Sequence, residues 1–66
     1  MHNRGMREYD IMVERDGRWW MIAIPEIDGL TQAEDFDDVE EMACSYIAVA
    51  TDTTPDEVGV RIVGNR

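Results

Sequence analysis

The stretch GRWWMIAIPEIDG, Gly17 to Gly29, limits the fold more than any other part of the chain. It runs between two glycine turn signals and stops at Pro25, which cannot donate to a strand ladder, so it reads as one strand. Alternation then puts Trp20, Ile22 and Ile24 on one side and Trp19, Met21 and Ala23 on the other, and both sets are apolar. A sheet covered by a single helix needs only one apolar face, so the second must meet something else. Length narrows what that is, because a chain of 66 residues buries only about 60% of the surface it exposes when unfolded. Domains this small lean on disulfides, a metal or self-association. With one cysteine and one histidine, an internal disulfide is impossible and a Cys/His zinc site is all but excluded. Association remains, and neither a cofactor nor a metal is expected.

The flanking sequence supplies the other elements. Residues 1–7, MHNRGMR, have no periodicity and are expected to be a disordered leader in which His2 is inert and Met6 is a second possible start. From Tyr9 the pattern has period two, with Tyr9, Ile11 and Val13 alternating with Asp10, Met12 and Glu14, a half-buried strand. Asp16-Gly17 then predicts a type I′ hairpin turn into the quoted strand. Asp28-Gly29 predicts another turn, and LTQAE after it is short enough to be an edge strand. The period changes at Val39: Val39, Met42, Ala43, Tyr46, Ile47 and Ala50 form the stripe of an amphipathic helix. Asp37 and Glu40 suggest an N-cap and capping box, and TDTTP, ending at Pro55, closes the helix. Val58, Val60 and Ile62 make a last strand. The expected fold is a single α+β domain over residues 8–64, β-β-β-α-β, an antiparallel three-stranded meander plus a fourth strand, with one helix packed on one face.

Charge limits the partners. A net charge of −9, with six arginines and no lysine, argues against direct nucleic-acid binding, which needs clustered basic side chains. The natural complement is a basic protein. The one long apolar run is too short and too proline-terminated to cross a bilayer, and nothing near Met1 resembles a signal peptide, so a cytoplasmic chain without a membrane partner is expected.

Candidate sites follow from these patterns. Asp35, Asp37, Asp38, Glu40 and Glu41 crowd the helix start, and no histidine, serine/histidine pairing or EF-hand spacing accompanies them. They read as a solvated, dipole-complementing face and the electrostatic half of a partner contact, not as catalytic or metal-binding groups, and no enzyme is expected. Cys44 falls opposite the Val39/Met42/Ile47 stripe, beside Ala48, which predicts an exposed, unactivated thiol. Tyr46 belongs to the predicted core stripe. Met12, Trp19, Met21 and Ala23 fall together on the face turned from the helix and are the candidate anchors of a partner or dimer contact.

The order of signals also resembles a known family. The Val13-Glu14-Arg15-Asp16-Gly17-Arg18-Trp19-Trp20 hairpin, the Ile24-Pro25-Glu26-Ile27-Asp28-Gly29 step, Thr31-Gln32-Ala33 and a helix with Val39, Glu40, Met42, Ala43 and Ile47 are similar to the N-terminal domain of HicB-like antitoxins, in the short form common among actinobacteria and their phages. The similarity spans Arg7 to Val63, with alanine at position 33 where many members have glycine. It implies a partial RNase H fold without that fold's catalytic carboxylates. It also implies an antitoxin, or an orphan derivative of one, that masks a small basic HicA-like ribonuclease toxin and forms a homodimer or higher homo-oligomer. The C-terminal DNA-binding domain usual in the family is not expected here. The alternative is a phage-type accessory protein that inhibits a host enzyme through its acidic surface.

Overall fold

The computed structural model describes residues 7–65, the last without its side chain. Residues 1–6, including His2 and Met6, lie outside the described residues. Five regular elements follow one another: β1 (Arg7–Asp16), β2 (Trp19–Ile24), β3 (Gly29–Ala33), α1 (Val39–Thr51) and β4 (Val58–Asn65). They form an α+β unit with one four-stranded sheet in the order β3-β2-β1-β4. The first three strands are the antiparallel meander expected. β4 joins the free side of β1 and runs parallel to it, so the sheet is mixed. A parallel neighbour requires a crossover, and α1 provides it while covering one face.

β1 starts at Arg7, earlier than the alternation from Tyr9 indicated. Arg7 is held there by an ion pair with Glu26, and its guanidinium lies 5.0 Å from the centroid of the Tyr9 ring. Polar side-chain contacts of this kind leave no trace in apolar periodicity.

The first hairpin turns through Gly17 and Arg18, because Asp16 pairs with Trp19. Gly17 has φ +65° and Arg18 is not among the positive-φ residues, so the turn has the type II′ pattern in place of the type I′ expected. At the second turn Pro25–Ile27 form a 3-10 turn, and Asp28 takes the left-handed conformation at φ 54°. Gly29 lies inside β3, buried, and is needed for a different reason: a Cβ there would come 2.5 Å from the Tyr46 ring. The glycine admits the helix, and the aspartate makes the bend.

Neither helix end matches its sequence reading. Phe36–Asp38 form a 3-10 turn, so Asp38 occupies the N-cap and no side chain caps the helix; the Asp37/Glu40 capping box does not form. The first turn is tightened by backbone instead, the Asp38 N–H donating to the Asp35 carbonyl at 3.0 Å. At the other end Asp52 is left-handed at φ 61°, and Thr53 N–H donates to the Ala48 carbonyl at 2.9 Å. This Schellman-type closure ends the helix before Pro55 acts.

The core lies between α1 and the sheet. Tyr9, Ile11 and Val13 from β1, Ile22 and Ile24 from β2, Ala33 from β3 and Val58 from β4 meet Val39, Ala43, Ile47 and Ala48 of the helix. Ile11, Ile22, Ile24, Ile47, Val13 and Val39 are the largest wholly enclosed side chains, and each contributes up to about 1.5–3 kcal/mol. Trp20 packs against this cluster, edge-on to Phe36 with centroids 5.0 Å apart, and Arg15 stacks on its indole.

The helix is rotated relative to the predicted stripe. Its buried line runs Val39, Ala43, Ile47 and Ala48, whereas Met42, Tyr46 and Ala50 are exposed. Sheet width explains the rotation. On one flank β4 covers the helix, and the Cys44 thiol reaches the Val58 carbonyl, Sγ to O 3.5 Å. On the other flank the sheet ends at β3, so Met42, Tyr46 and Val49 overhang its edge. Cys44 is therefore half-buried against the core, and its predicted exposure is corrected. No helix among the described residues is long and apolar enough to cross a membrane.

Candidate functional site

The face of the sheet turned away from α1 holds the surplus apolar side chains. Strand pairing sets Met12 opposite Ala23 and Ala23 opposite Leu30, while Met12 also lies beside Gly64 of β4. These four positions form a row across the whole sheet, and Met21 stands one step along it, opposite Glu14. Together they line a groove of about 300 Å³. Its floor is made by the small residues. Gly64 lies under the Met12 side chain, close enough that a Cβ would sit 3.2 Å from the Met12 methyl. Methionine suits such a surface, since its unbranched thioether adapts to irregular partners.

Charge is arranged around the groove. The outer side of β1 reads Glu8, Asp10, Met12, Glu14, Asp16, so the one apolar side chain stands between exposed carboxylates on both sides. Asp10 is held by Arg61 of β4 at 2.9 Å, and the pairing raises the affinity of that guanidinium for its proton. Glu14 is in no ion pair among the described residues and lines the groove. An apolar centre inside a polar rim is the common anatomy of a protein contact, and here the polar groups of the rim are carboxylates.

Met12, Met21 and Ala23 thus come together as the alternation indicates. Trp19 does not join them. It lies on the same outer side but at the far end of β2, opposite Asp16, where it lines a separate shallow depression with Gln32, Glu34, Asp38 and Met42. The indole therefore borders the acidic helix start, not the methionine groove. Asp35, Asp37, Asp38, Glu40 and Glu41 are all exposed, and no cluster of three or more His, Cys, Asp or Glu side chains among the described residues is arranged to hold a metal ion.

Leu30, Gly64 and the carboxylates of β1 were not singled out by the sequence reading. Leu30 carried a signal, since it is the one large apolar residue of LTQAE, but only the β2–β3 register shows that it extends the Met12–Ala23 row. Gly64 carried none, because its place depends on a parallel strand whose register shifts between Ile11 and Met12. Cys44 is no candidate nucleophile: burial, and after it the Glu40 carboxylate, push its thiol above the usual range and keep it protonated near neutrality.

Fold and face together define a small α+β unit with one helix-covered sheet face and one apolar-centred, acid-rimmed face that the described residues leave open. Comparison with family models, with curated proteins and with solved structures returned no match.

Proposed function

We propose that the chain is a protein-binding module whose open sheet face receives a basic protein partner. The observation that carries this reading is the groove of Met12, Met21, Ala23 and Leu30 set between carboxylates on a chain of net charge −9. The apolar centre supplies contact energy, and the acidic rim steers a basic surface to it. The HicB-like pattern of the sequence makes the partner class specific: a HicB-like antitoxin, or an orphan derivative, that covers a small basic HicA-like ribonuclease and blocks its access to RNA. Trp19 and the acidic helix start would form a second contact at the margin of the sheet.

The test is inhibition of RNA cleavage by a HicA-like ribonuclease titrated with the protein. Inhibition that weakens with salt is expected, and Met12→Glu combined with Met21→Glu should lower affinity by about a hundredfold, the loss of a buried hot spot. Wild-type protein that leaves such ribonucleases active would refute the antitoxin reading. The exposed acidic run favours a second reading, a phage-type accessory protein that inhibits a host enzyme. Recovery of a host nuclease or polymerase through the same groove, with no effect on the ribonuclease, would support it.

A further inference from the structure

The carboxylates beside the groove are not equivalent. Asp10 and Glu14 flank Met12 on the outer side of β1. Arg61 engages Asp10, with Nε at 3.1 Å and an Nη at 2.9 Å from the same carboxylate oxygen. The other guanidinium groups among the described residues are engaged away from the groove. Arg7 pairs with Glu26, Arg18 stands 4.0 Å from Glu34, and Arg15 stacks on the Trp20 indole while its Nε donates to the Gly17 carbonyl. Glu14 is left in no ion pair among these residues. It is also the one charged side chain among them that lines the groove, across the ladder from Met21.

A carboxylate on the wall of an apolar groove selects what can fill it. Met12, Met21, Ala23 and Leu30 offer alkyl and thioether surface to a stem without polar atoms. An apolar side chain seated there strips water from the Glu14 carboxylate and gives it no hydrogen bond in return. A second copy of the chain, itself carrying −9, brings carboxylates to a carboxylate. A side chain that is aliphatic along its length and cationic at its end satisfies both the apolar lining and Glu14. Arginine meets this description better than lysine. Its guanidinium is more weakly hydrated than an ammonium, so it loses less on entering a partly enclosed groove, and its fork donates to both oxygens of one carboxylate. At about 300 Å³ the groove is of a size for one side chain and not for a folded segment.

We propose that the groove is an arginine socket: one arginine of the basic partner lays its stem along Met12, Met21 and Leu30 and pairs its guanidinium with Glu14. This rests on the reading of the open face as a protein-binding surface, and it adds the residue that selects. Glu8 and Asp16, farther along β1, act on the rate of encounter, whereas Glu14 acts on how long the partner stays.

The test follows the methionine methyl signals by NMR while the chain is titrated, at constant ionic strength, with acetyl-Ala-Arg-Ala-amide, its lysine counterpart or its citrulline counterpart, which keeps the shape without the charge. Millimolar binding of the arginine peptide is expected, shifting the Met12 and Met21 methyls and leaving that of Met42 in place. The lysine peptide should bind more weakly, and the citrulline peptide about fivefold more weakly or worse. Glu14→Gln, at an exposed position and with the fold intact by circular dichroism, should abolish the preference for arginine over citrulline, and Asp16→Asn should keep it. No shift with the arginine peptide, equal binding of arginine and either counterpart, or a preference that survives Glu14→Gln would each overturn the proposal. The antitoxin reading fails separately, because the peptides involve no ribonuclease: a chain that binds the arginine peptide but leaves HicA-like ribonucleases active keeps the socket and loses that reading. Inhibition lost on Met12→Glu with Met21→Glu but unchanged by Glu14→Gln keeps the binding surface and overturns the socket.

Discussion

Ile22 and Met21 are neighbours in β2, and the sheet sends them to opposite faces. Ile22 is wholly enclosed beneath α1, whereas Met21 is half-buried in the groove with Met12, Ala23 and Leu30. Chemistry does not separate them, since both are large and apolar and both lie in a six-residue strand without a charge. The one difference is what stands above them. On one side a helix of thirteen residues closes the layer; on the other, nothing among the described residues does. Apolar side chains under the helix contribute to folding, and on the proposed reading the equivalent side chains on the open side serve association.

That contrast is open to a direct break. Ile22→Ala should cost about 2–5 kcal/mol, a large part of what so small a domain has, and urea unfolding should show the midpoint collapsing. Met12→Ala, directly across the sheet plane, should move the same midpoint by no more than about 0.5 kcal/mol. Equal losses at the two positions would mean that the open face is part of the folding core, and the distinction between the faces would fail.

A smaller effect sharpens the same contrast at the edge, where the covered face thins out. Gly29→Ala puts a methyl group into the Tyr46 ring, so the ring must swing off β3, at about 1–3 kcal/mol. Adding Tyr46→Ala should recover most of that loss in a double-mutant cycle, because the clash then has no partner. An additive cycle would show that Gly29 is required by backbone conformation and not by the helix.

The smallest effect belongs to Cys44. Burial raises its thiol pKa above the ordinary value, and Glu40 adds to the shift. A group whose pKa is raised on folding gives its full contribution below the unfolded thiol pKa of about 8.5 and loses it as pH rises through the folded value. Unfolding midpoints should therefore fall more for the wild type than for Cys44→Ala as pH rises above about 8.5, and alkylation of the native thiol should lag behind that of the unfolded chain. Identical pH profiles would place the thiol in solvent.

Much of the fold was legible because period two and period 3.6 leave different marks. Tyr9, Ile11 and Val13, then Ile22 and Ile24, mark the strands, and Val39, Ala43 and Ile47 mark the helix. The helix flanks were not legible. Met42 and Tyr46 look more apolar than Cys44 and Ala48, yet the smaller pair is buried, because β4 covers that flank and the sheet stops at β3 on the other. Trp19 shares the outer face with Met12 and Met21, as alternation indicates, yet it lines a different depression, because alternation names a face and not which residues on it border the same hollow.

The sequence by itself determined the element order, the covered set Ile22 and Ile24, and the existence of a second apolar set that its own helix cannot cover. It determined these because side-chain direction in a strand is fixed by parity and one helix has one buried side. Only the tertiary structure decided that Leu30 and Gly64 complete the groove, that Trp19 stands apart from it, and that Asp28 rather than Gly29 makes the bend. Each of those depends on register between strands or on where the sheet ends, and contacts between residues distant in sequence are set by packing that no local pattern encodes.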